Sequence, residues 1–240
     1  MADVYNIDDL IKLGKLNKET LVLDGGGKIF INIDLTLPFS LKLTGNTYLG
    51  SHYGIPRTIT FDSSDKPAIC ASAQASGITI RDLDLVSLNS PLFSVKRNKM
   101  DNVTLTACNV DTLELGDIST NSLRIMYTKF TNPQMQPLKL DSINTVSLIE
   151  ASNRSQYPLL DMGDDKHLRN TITVCGGLSE SASLICIGHR DDTGCTAFTY
   201  IPDHSIIVSG VGKPRHQLLS IKENDRYITL PEASTRSIFA

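Results

Sequence analysis

"GITIRDLDLVSL" (residues 77–88) and "NVTLTACNVDTL" (residues 102–113) decide the fold of this chain. Both are short runs in which apolar and polar residues alternate, the period of a strand with one face buried. Three more follow: "SLRIMYTKF" from Ser122, "TVSLIEASN" from Thr145 and "TITVCGGLS" from Thr171. Their first apolar residues, Ile78, Val103, Leu123, Val146 and Ile172, stand 25, 20, 23 and 26 residues apart, a mean of 23.5. A second series keeps step: "PAICAS" (Pro67), "PLFSVK" (Pro91), "LELGDI" (Leu113), "PLKLDS" (Pro137), "PLLDMG" (Pro158) and "SLICIG" (Ser183).

Two series with one drifting period, built from short strands, indicate a solenoid. Leucine-rich repeats have this length but need a fixed Asn or Cys after spaced leucines, which is absent here. Variable corners rich in Asn, Asp and Ser point instead to a parallel β-helix. Each strand then pairs with its counterpart one coil away, at about 4.8 Å. Ile78, Val103 and Leu123 are expected to stack inside, and Thr79, Thr104 and Arg124 to face outward. No coil buries its own face, so stability comes from its neighbours.

Upstream, "LVLDGGGKIFINIDLTLPF" (residues 21–39) poses the question of a phosphate loop. Ile29 follows Lys28, where a P-loop needs Ser or Thr opening a helix. The residues beyond alternate with period two, from Ile29 through Ile31 and Ile33 to Leu35 and Leu37. Gly25, Gly26 and Gly27 are therefore expected to form a corner between strands. Before it, a helix is expected from Ile7 to Leu13. Asn6 caps it, Asp8 and Asp9 suit its positive end, and Gly14 suits its stop. After Cys195 the repeat lapses. "DHSIIVSGVGKPRHQLLSIKENDRYITLP" (residues 203–231) reads as three or four antiparallel strands, with turns at Gly210-Val211-Gly212 and Glu223-Asn224-Asp225. The expected organisation is a capping helix in residues 1–16, a β-helix in 17–200 and a small β cap or docking module in 201–240.

Composition narrows the function. Charged residues are 20% of the chain and the net charge is −3, so no general attraction to nucleic acid or anionic membrane is indicated. Aromatics are 6% and Trp is absent, which is poor material for base stacking or a sugar cleft. Five cysteines without a CxxC spacing suggest buried free thiols rather than zinc or a disulfide framework. "MADVYNIDDL" does not read as a secretory signal, and no apolar run reaches membrane-spanning length. Folding in a reducing cytoplasm, without cofactor or metal, is the expectation.

The capping helix, "VLDGGG", the alternating strand, "LKLTGN", "TITF" and the irregular coils together resemble the right-handed parallel β-helix of phage tailspikes and the pectate-lyase-like superfamily. The resemblance spans roughly residues 5 to 190 and rests on patterns rather than signatures. It implies a right-handed all-β solenoid and, commonly, a homotrimer.

A polysaccharide hydrolase on such a fold needs two carboxylates about 5–9.5 Å apart. In "RDLDL", Asp82 and Asp84 are the candidates: on one strand face they would stand about 7 Å apart. As plain structure they are the polar side of an alternating strand. Asp164-Asp165 and Asp191-Asp192 are adjacent pairs that suit turns. Lys96, Arg97 and Lys99 form a dense basic run, a binding surface for an acidic glycan or partner, or else a solvated corner. His189, Asp191, Asp192 and Cys195 cluster in "GHRDDTGC" without a third group to orient the histidine. The reading that follows is a non-enzymatic phage structural protein: a trimeric spike, a tail or baseplate component, or a capsid decoration. It is assembled in the host cytoplasm and bound to other virion proteins. A polysaccharide lyase or glycoside hydrolase, and a passive glycan- or receptor-binding tip, are the alternatives.

Overall fold

The computed structural model describes residues 1–52, 54–63, 66–162, 171–176, 178–179, 184–190, 205–209, 219–223 and 226–229. It is a parallel β-solenoid of about seven turns. One 16-stranded sheet supplies two faces of each coil and a seven-stranded sheet supplies the third. One short helix, α1 (Ile7–Lys12), is present among the described residues, and none there is long and apolar enough to cross a membrane.

Inward residues stack in columns, as the period requires. On the first face Leu21, Leu41, Ile69 and Phe93 lie in register, followed by Gly116. On the second face Ile78, Val103, Leu123, Val146 and Ile172 are paired one above another, as expected from the repeat. Their outward neighbours Thr79, Thr104 and Arg124 are also in register. On the third face the column is Leu35, Ile59, Leu85, Val110 and Phe130. All these apolar residues join one continuous buried core that runs from Val4 to Ile185. Each coil thus removes its neighbours' apolar surface from water.

The second and third faces meet at a corner that the repeat did not announce. Asp82, Ala107, Tyr127 and Glu150 each have φ between 48° and 54°, and Gly176 has φ 66°. They lie four residues after Ile78, Val103, Leu123, Val146 and Ile172, so each coil turns on one left-handed residue. That conformation costs about 1–2 kcal/mol for a residue with a Cβ. The ladder holds it: Asp82 N donates to the Thr106 carbonyl, Ala107 N to Met126, Tyr127 N to Ile149 and Glu150 N to Cys175, at 2.8–3.0 Å. The next residue points inward each time: Leu83, Cys108, Thr128 and Ala151 are all buried.

The glycine corner is where the sequence placed it, between the strands Thr20–Leu23 and Gly27–Ile31. Gly25, Gly26 and Gly27 have φ of 80°, 71° and 123°. A Cβ on Gly26 would also stand 2.8 Å from the backbone of Asn46 in the next coil. Lys28 is exposed on the strand that follows. The alternating run beyond is not one strand. It stops at Ile31 and resumes at Leu35–Leu37, and Ile33 in the intervening corner is 46% exposed. Similarly, Leu113 is 56% exposed and the first-face strand of that coil opens at Gly116, so the second series is shifted there.

The helix caps the solenoid as expected. Asn6 accepts a bond from Asp9 N at 2.9 Å, the cap bond, and the Asp9 carboxylate accepts one from Tyr5 N at 3.2 Å, just before the cap. Leu10 is fully buried. Two strands frame the helix that the sequence reading did not include: Ala2–Val4, parallel to Gly27–Ile31, and Gly14–Asn17, antiparallel to Thr20–Leu23. Gly14 is not a helix stop in the left-handed region. It starts the second of these strands, where a Cβ would meet the Val22 carbonyl oxygen.

At the other end the expected antiparallel meander is corrected in part. Ser205–Ser209 pairs in parallel with Thr171–Cys175, and Leu219–Glu223 in parallel with Ile185–Arg190, both continuing the coil-on-coil pattern. The antiparallel pairing described there is that of Leu219–Glu223 with Arg226–Thr229, and Asn224 and Asp225 of the expected turn lie outside the described residues. The Gly210-Val211-Gly212 turn lies outside the described residues.

Candidate functional site

Asp82 and Asp84 do not share a strand. Asp82 is the left-handed corner residue between Ile69–Arg81 and Leu83–Ser87, and Asp84 lies in the second of these strands. The turn at Asp82 redirects the chain, so the separation expected along one extended strand does not apply. Each carboxylate has a partner: Arg81 Nε donates to Asp82 at 3.1 Å, and Asn109 Nδ2 donates to Asp84 at 2.6 Å.

The Asp84 bond is one of a series. Asn32 donates to Asp3 at 3.2 Å, Asn89 to Asp62 at 3.0 Å, Asn121 to Asp101 at 3.5 Å and Asn132 to Asp111 at 3.1 Å. Asp34 accepts from Thr58 N at 2.9 Å. The aspartate always belongs to the earlier coil and the donor to the later one. Identical carboxylates stacked at rung spacing would repel, whereas an amide above a carboxylate bonds it. Inside, Ser and Thr hydroxyls run the same way: Thr44 donates to the Leu23 carbonyl, Thr120 to Met100 and Ser155 to Met135. The sequence carries a signal for this pattern, an Asn 20–29 residues after an Asp, which is one coil.

The side chains of Lys96, Arg97 and Lys99 lie outside the described part. Their backbone belongs to the strand Phe93–Thr106, where the pairing register shifts between Val95 and Met100. Asp164, Asp165, Asp191, Asp192 and Cys195 lie outside the described residues, as does the side chain of His189. Among the described residues no three His, Cys, Asp or Glu side chains gather as a metal site.

The structure assembles one cluster that the sequence reading missed. Phe30 stacks on His52 with centroids 4.1 Å apart and the rings 9° from parallel, and Tyr48 leans on Phe30 at 5.6 Å. His52 Nε2 contacts Asp3, whose carboxyl is held below its ordinary value by hydrogen bonds from His52 and then Asn32. Partial burial pushes the Tyr48 phenol up. The cluster ties the amino-terminal strand to the next two coils. Phe30 packs against both other rings, so the cluster reads as a fastening.

Four described cysteines are free thiols. Burial pushes Cys108 up to about 11, so it stays protonated and unreactive at neutral pH. No family model, curated protein or solved structure matches this chain.

Proposed function

We propose that this chain is a non-enzymatic structural protein of a phage particle, a right-handed trimeric β-helix serving as spike, tail or baseplate component, or capsid decoration. The observation that supports it is the use of the carboxylates. Six aspartates spread over successive coils accept bonds from the next coil, Asp84 among them. Acids distributed in this way stiffen a rod along its length, whereas a hydrolase gathers two around one substrate bond. Leu88 and Leu113 add a second line of support. They are 49% and 56% exposed and follow Ser87 and Thr112, which are paired one coil apart. Two exposed leucines at equivalent places in adjacent coils suit coverage by a second copy of this chain.

The test is incubation of the full chain with a panel of neutral and acidic polysaccharides, followed by assays for new reducing ends and unsaturated products. No such product is expected. Cleavage that disappears in Asp84→Asn or Asp82→Asn would replace it with the depolymerase reading.

A further inference from the structure

The first face carries a groove that coil-to-coil bonding leaves unexplained. Its floor is the outward column Val22, Lys42, Cys70 and Ser94, one residue from each of four successive coils. At rung spacing that floor runs about 14 Å. Asn17, Thr20 and Lys66 are among the residues that complete the lining, around a volume of about 570 Å³.

Two ammonium groups serve this space. Lys66 Nζ donates to Thr20 Oγ1 at 3.3 Å. Lys42 and Lys66 are half-buried, whereas Lys12, Lys15, Lys18, Lys28, Lys129 and Lys139 are exposed. Neither has an ion-pair partner among the described residues, and no described lining residue is a carboxylate. Cys70 lies in register beside Lys42. Burial raises its thiol above the ordinary value against the opposing pull of Lys42 and Lys66, so no thiolate balances them. Two lysines lining one groove, with no described carboxylate among the lining, leave it positive, and an anion is attracted there.

We infer that this groove binds a small molecule bearing an oxyanion, a phosphate monoester or a carboxylate, on a polar sugar-sized body. Lysine ammoniums act as compact point charges toward such groups. Asn17, Thr20 and Ser94 supply neutral donors and acceptors for hydroxyls. The volume falls within the range of about 300–1,000 Å³ typical of small-molecule sites.

The experiment is titration calorimetry on the full chain at low salt with glucose 6-phosphate, glucuronate and uncharged glucose. Saturable binding of at least one anion and none of glucose is expected. Whichever anion binds identifies phosphate or carboxylate as the recognised group. Lys42→Gln and Lys66→Gln should each weaken binding by about tenfold or more, and Lys28→Gln should leave it unchanged. Lys66→Gln also loses the Thr20 bond, so Lys42→Gln carries the test if Lys66→Gln misfolds. No binding of either anion at about 10 mM, or undiminished binding in Lys42→Gln, overturns the inference.

Discussion

If the outward aspartates are structural, removing Asp84 must cost stability, and the cost must run through Asn109. The Asn109 amide donates to the Asp84 carboxylate at 2.6 Å across registered strands. A hydrogen bond to a charged group contributes about 1.5–3 kcal/mol. Asp84 is half-buried, so water screens part of this and about 1 kcal/mol is the expected coupling. The assay is a double-mutant cycle by urea unfolding with Asp84→Ala, Asn109→Ala and the double variant. Each single change should lower stability by about 1 kcal/mol, and the double should lose about 1 kcal/mol less than their sum. Full additivity would refute the bond's contribution. A gain in stability in Asp84→Ala would instead mark a residue kept for activity at the expense of stability, against a structural role.

Other consequences follow from the columns and corners. Leu123, fully buried between Val103 and Val146, should cost about 2–5 kcal/mol as Leu123→Ala in urea unfolding, while Arg124→Ala, facing out beside it, should stay within about 0.5 kcal/mol. Gly116 has φ 86°, and a Cβ there would stand 2.0 Å from the Phe93 carbonyl oxygen. Gly116→Ala should therefore lose more than about 2 kcal/mol, and a smaller loss by the same assay would contradict the close approach of these coils. Asp3 has a depressed carboxyl, so its contribution is present at pH above its unfolded value and is lost as pH falls through the folded one. Amide exchange protection of the strand Ala2–Val4 should hold from pH 7 to 5 and fall below about pH 3.8. Protection that persists at lower pH would show that the Asp3 carboxylate does not secure this strand.

The sequence was most legible where a physical constraint recurs. Ile78, Val103 and Leu123 must be apolar because each packs on the next, so the spacing of those positions revealed the coil. Gly25 to Gly27 were legible because three left-handed residues in a row leave few alternatives. The corner at Asp82, Ala107, Tyr127 and Glu150 was not legible. Its conformation is imposed by the ladder on four unrelated side chains, and glycine marks it at Gly176 alone. That is why the alternation through Asp82 looks like one continuous strand. Ile33 misled for a related reason, since alternation continued through a corner where the chain had already turned. The meeting of Phe30, Tyr48 and His52 depends on register between coils, which no single stretch of sequence displays. The groove at Lys42 and Lys66 depends on the same register.

The proposed symmetric assembly stands or falls on the native mass in solution. Light scattering on a sizing column should give three chains of 26.3 kDa, about 79 kDa in all, independent of concentration across the peak. A stable species at the mass of one chain would contradict the trimer and leave Leu88 and Leu113 without their proposed cover.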